Sequence, residues 1–139
     1  MKYSRRDWGL LLSALAASSA AAQNQALPSK MYRYEDLPVR NNGDNKQRAI
    51  LRGDTHTGYA IEMHETELAP GLAPHPPHRH VHEEMVMIRE GTLEVTISGR
   101  STNLGPGSVA YVASNEDHGW RNIGTGRARY FVMALGRDS

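Results

Sequence analysis

Histidines occupy alternate positions in His78-Arg79-His80-Val81-His82, and Glu84 continues the same parity. In an extended strand successive side chains point to opposite faces, so residues 78, 80, 82 and 84 share one face. A helix would spread them around its circumference. The approach to this run argues the same way. Gly71-Leu72-Ala73-Pro74-His75-Pro76-Pro77 places three prolines in seven residues, which excludes a helix and favours rigid, extended backbone. Imidazole and carboxylate concentrated on such a strand make a metal site the leading reading. Parity alone offers His80, His82 and Glu84 as one ligand set. Another histidine, His118, waits downstream in Asp117-His118-Gly119-Trp120-Arg121-Asn122.

The rest of the chain reads as short strands and turns. Tyr59 to His64 and Met85 to Ile88 are strand-like, and Glu90-Gly91-Thr92 is a turn. Leu93, Val95 and Ile97 alternate with Glu94, Thr96 and Ser98, the pattern of a half-buried strand. Ser98-Gly99-Arg100 ends it, and Leu104-Gly105-Pro106-Gly107 is the next turn. Val109 to Val112 is expected as a short buried strand, Ser114 to Asp117 as a polar loop delivering His118, and Ala128 to Leu135 as the last strand. No internal repeat is visible, so one barrel is expected.

These motifs resemble those of the cupin superfamily, in its small single-domain form. Gly71, His78, His80, Glu84 and Gly91 match the first cupin motif; Gly99, Pro106, Gly107, His118 and Asn122 match the second. Ser108 stands where Asp is common and Ala113 where Pro is common, departures in turns rather than at ligands. The resemblance implies an all-β fold, a single double-stranded β-helix (jelly-roll) barrel over residues 48–136. It also implies that His78, His80, Glu84 and His118 bind one divalent metal ion. Three neutral imidazoles and one carboxylate leave about one net positive charge on the ion and two coordination positions open, which suits Fe, Mn, Ni, Co or Cu, with Zn also admissible. On the family spacing His82 either orients its neighbours or faces solvent. His75, among prolines, is expected to be a loop residue. His64 and Glu62 share a strand face at the barrel mouth or on a solvated surface, the latter being the expectation. Trp120 and Tyr111 are expected in the core; Met63, Met85 and Met87 in barrel packing or a dimer face rather than as ligands.

Fold and metal do not by themselves fix activity. The leading expectation is a metal-dependent, dioxygenase-like enzyme acting on a small hydroxylated or carbonyl substrate, with Glu84 and His82 handling protons. A metal-dependent isomerase or hydrolase would use the same site. A non-enzymatic module that binds or senses a sugar-like molecule is the alternative, and a metal-holding envelope protein a third.

Met1-Lys2-Tyr3-Ser4-Arg5-Arg6-Asp7-Trp8 precedes an apolar run, Leu10 to Ala17, and an Ala-rich end at Ala20-Ala21-Ala22. Residues 1–22 therefore read as a signal peptide, twin-arginine-like but with Trp8-Gly9 in place of the usual Phe-Leu. The expectation is export to the periplasm or beyond, cleavage near Ala22, and no membrane span in the mature chain. Residues 23–47 read as a flexible segment or a dimer arm, with Asn41 to Asn45 as a turn and a homodimer as the expected assembly. The chain contains no cysteine, so neither disulfides nor thiols enter the site. Its formal charge of +1 falls to −1 once Lys2, Arg5, Arg6 and Asp7 are removed, and no basic patch points to nucleic acid.

Overall fold

The computed structural model describes residues 25–138; the expected signal segment lies outside them. Nine strands follow a 3-10 turn at Tyr34–Asp36. They are β1 (Val39–Asn42), β2 (Asn45–Asp54), β3 (Ala60–Leu68), β4 (Glu83–Glu90), β5 (Leu93–Ile97), β6 (Arg100–Leu104), β7 (Val109–Val112), β8 (His118–Asn122) and β9 (Ala128–Leu135). All pairings are antiparallel. A six-stranded sheet in the order β1-β2-β3-β9-β4-β7 faces a three-stranded sheet in the order β6-β5-β8. The result is the jelly-roll barrel of the expected all-β class. Among the described residues no helix is long and apolar enough to cross a membrane.

Period-two alternation builds the core. Leu68, Val86, Ile88, Tyr130 and Val132 from the larger sheet meet Leu93, Val95 and Trp120 from the smaller one. Trp120 Nε1 donates to Tyr130 Oη at 2.7 Å, which satisfies both polar tips inside the apolar layer. Asn122 is fully buried and works as a latch. Its amide donates to Leu68 O and Gly126 O and its oxygen accepts from Gly124 N. Gly91 turns at φ 80°, and a Cβ there would meet Ala128 Cα at 2.7 Å. The turn between β4 and β5 therefore needs glycine for conformation and for space.

Several local expectations change. β6 has no sequence signal of its own, because Arg-Ser-Thr-Asn carries no apolar alternation; it is an exposed edge strand held only by β5. Val109 to Val112 is half-exposed rather than buried, with Val109 and Tyr111 outward and Ala110 and Val112 inward. Tyr111 is thus not core, since an odd position on this edge strand points away from the barrel. Strand pairing begins at Val39, and the Asn41 to Asn45 turn narrows to Gly43-Asp44. The preceding segment packs on its own barrel: Leu27 N donates to Asp54 O, and Tyr34 lies under the guanidinium groups of Arg48 and Arg89.

Candidate metal centre

The run from residue 78 to 84 is not one continuous strand. His78 forms an isolated bridge with His118, each backbone N–H donating to the other's carbonyl (3.0 and 2.9 Å). The backbone then bends at residues 81 and 82, and β4 starts at Glu83. Three features hold this loop. The prolines keep it extended, Asn115 N–H donates to His80 O, and Pro77 packs where Gly119 has no side chain, an added Cβ coming within 3.2 Å of Pro77 Cα. A pinned loop, the first residues of β4 and the first residue of β8 thus converge inside one end of the barrel.

Three imidazole rings form a triangle there. The His78–His80, His78–His118 and His80–His118 centroids are 5.1, 4.7 and 4.7 Å apart. One ring nitrogen from each lies within 4.8 Å of the others. Backbone carbonyls set the tautomers. His80 Nδ1 donates to His82 O and His118 Nδ1 to Glu116 O, both at 2.8 Å, and His78 Nδ1 makes a longer contact, 3.4 Å, with Pro76 O. A carbonyl only accepts, so the proton sits on Nδ1 and Nε2 carries the free lone pair. Burial, with His75 nearby, holds the His78 imidazole below its ordinary pKa and so neutral.

Glu84 closes the group. Its Oε1 is 3.5 Å from His80 Nε2 and its Oε2 is 3.4 Å from His118 Nε2. With the protons on Nδ1 these are lone pairs facing lone pairs. Accordingly His80 Nε2, His118 Nε2 and Glu84 Oε2 are buried with no hydrogen-bond partner among the described residues. Buried polar atoms are normally satisfied, and leaving one alone costs about 1–3 kcal/mol. A cation among them would satisfy all three, and carbonyl-anchored imidazoles are the usual support for metal ligands. The residues present therefore fit a divalent ion.

His82 lies at the edge of this group. Its ring stacks on His80 at 3.6 Å, its Nδ1 is 2.8 Å from Asp138 Oδ1, and its Nε2 is 3.4 Å from Glu84 Oε1. His80, His82 and Asp138 form a second group of potential ligand atoms. Asp138 carried no motif and could not have been found from sequence. His75 is exposed, packed edge-on against His78. Trp120 is core, as expected, and stacks on His118 from below.

A cupin-domain family model matches residues 64–134, just over half of the 139-residue chain. The chain is a cupin. Solved structures agree on the fold. An RmlC-like cupin from Shewanella frigidimarina superposes with a TM-score of 0.66 at 17% identity, covering 79% of this chain and 93% of its own. The polyketide cyclase RemF from Streptomyces resistomycificus gives 0.65 at 22%, covering 80% and 82%. A Thermotoga maritima protein named as a predicted oxalate decarboxylase gives 0.64 at 15%, covering 78% and 100%. No curated protein matches in sequence. At these identities the likeness shows the cupin fold alone; cyclase and decarboxylase names on one fold show how little the fold says about chemistry.

Proposed function

We propose that this cupin holds one divalent ion through His78, His80, Glu84 and His118 and is a metal-dependent, dioxygenase-like enzyme acting on a small hydroxylated or carbonyl molecule. The observation that carries the reading is the set of three buried, unpartnered ligand atoms pointing at one another. Bound there, the ion supplies Lewis acidity and, for iron, manganese, nickel, cobalt or copper, redox chemistry with dioxygen. The chain's own residues supply proton handling. Glu84 Oε1 faces His82 Nε2 at 3.4 Å, and Asp138, exposed to solvent, holds His82 from its other nitrogen. A substrate proton taken at Glu84 can leave along that line. Glu84 and His82 also line an open groove of about 790 Å³ on the barrel, of a size suited to a small molecule.

Metal analysis by mass spectrometry, with oxygen uptake measured beside it, tests the proposal. About one redox-active ion per chain, with oxygen consumed in the presence of a vicinal diol or enol, is expected. One ion without oxygen chemistry would turn the reading to an isomerase, a hydrolase or a sugar-like-ligand binder. His78→Ala and Glu84→Ala should each release most of the metal and His82→Ala should not; the reverse pattern would move the site to the group containing His82 and Asp138. We propose as well that the mature chain is exported after cleavage near Ala22 and pairs as a homodimer, checked by N-terminal sequencing and light scattering.

A further inference from the structure

Glu62 and His64 face the barrel interior on β3, on the same side as Thr66 and Leu68. The lower pair enters the core, whereas Glu62 and His64 line the groove that Glu84 and His82 also line. The sheet register sets the separation. Glu62 is opposite Ala134 on β9, and Ala134 is opposite Glu84 on β4, so two carboxylates flank one small residue. Two interstrand steps place their Cα atoms about 10 Å apart. His64 and Val86 flank Val132 in the same way. The groove thus has two walls bearing proton acceptors, with alanine as its floor.

His64 Nδ1 lies 3.0 Å from both carboxylate oxygens of Glu62. A carboxylate only accepts, so Nδ1 carries the proton and Nε2 is the ring atom left to meet a ligand in the groove. No group among the described residues hydrogen-bonds that Nε2. A surface ion pair would account for the contact between the two side chains. What goes beyond such a pair is the place of the two side chains, which line one groove with Glu84 and His82.

We infer that His64, oriented by Glu62, takes the second hydroxyl proton of a vicinal diol, of enediol or catechol type, whose first proton goes to Glu84. The inference rests on the metal-site reading above. The distal O–H bond breaks, the proton passes to His64 Nε2, the electron pair stays on oxygen, and Glu62 balances the imidazolium. The ligand is then a dianion, the stronger chelating donor. Other charged groups around His64 are Arg52, opposite Glu62 on β2, Asp54 paired with Arg137 at the lip, and Glu84, His82 and Asp138 on the far wall.

The test uses 4-nitrocatechol, whose absorbance separates its singly and doubly ionised forms, added to the full chain loaded with zinc, which contributes no redox chemistry. The wild type should bind the probe as the dianion. His64→Gln should keep its zinc, bind the probe singly ionised and about tenfold more weakly, and raise the pH midpoint of the second ionisation by about one unit. Glu62→Gln should shift the same spectrum in the same direction, which covers the case of a poorly folded His64 variant. Zinc-loaded His64→Gln with the wild-type spectrum and affinity would overturn the inference. So would a wild type that binds zinc but not the probe, and that result leaves the metal assignment standing. A wild type that binds no zinc overturns both.

Discussion

The larger sheet buries carboxylates on both faces and treats them in opposite ways. On the outer face Glu65 and Glu67 are almost completely buried, and cations surround them. Arg48 and Arg89 reach Glu65 at 3.2 and 3.0 Å, and Arg129 and Arg127 reach Glu67 at 3.0 and 3.1 Å. On the inner face Glu84 meets only imidazole lone pairs, and three atoms of the group have no partner. Burial of charge is common to both; satisfaction is not. The outer cluster completes itself from within the chain and reads as structure. The inner one leaves three buried ligand atoms without a partner, an arrangement that fits a cation from outside.

The largest effect should come from breaking the complete cluster. Arg48→Ala removes contacts to Glu65 and Glu67 and the packing over Tyr34. Leaving a buried carboxylate short of its partner should cost about 3 kcal/mol in urea unfolding; an unchanged midpoint would show that Arg89, Arg127 and Arg129 suffice. Acid should separate the clusters by pH in the metal-free protein. Burial together with His75 lowers the His78 pKa from its ordinary 6.5. Below that pH the unfolded chain binds more protons, so stability present above 6.5 is lost as pH falls through the lowered value. Burial alone would raise Glu67, but Arg129, Lys46 and Arg127 outweigh it and hold the carboxyl below its ordinary 4.5. Its contribution is present above 4.5 and lost only in stronger acid. Unfolding midpoints against pH should therefore fall in two stages, with His78→Ala removing part of the first. A single stage that His78→Ala leaves unchanged would break the comparison. The smallest stability effect belongs to Glu84→Gln. Without metal it should change stability by no more than about 1 kcal/mol, because no ion pair is lost, while metal uptake falls sharply. Strong destabilisation of the metal-free variant would mean that Glu84 is structural after all.

Much of the fold was legible because its signals are local. The parity of residues 93 to 98, the prolines before His78 and the glycine turns each constrain backbone over a few residues, and the strands stand where those patterns are strongest. β6 was illegible because an edge strand borrows its stability from its neighbour and needs no apolar face. The histidines and Glu84 were legible as a group, although the bend at residues 81 and 82 breaks the single strand on which parity placed them. The place of Glu62 and His64 was not legible, because a polar pair on a strand looks the same whether it meets bulk water or a groove.

By itself the sequence determined the all-β class and the donor types, since alternation, proline and imidazole chemistry act through covalent neighbours. Only the tertiary structure decided which nitrogen of each ring is free, since the carbonyls that hold Nδ1 of His80 and His118 depend on where the backbone turns. It alone set Asp138 against His82, 56 residues away, and put Glu62 and Glu84 on one face of the sheet, either side of Ala134. Such contacts come from strand order and register, which are properties of the whole barrel and of no single segment.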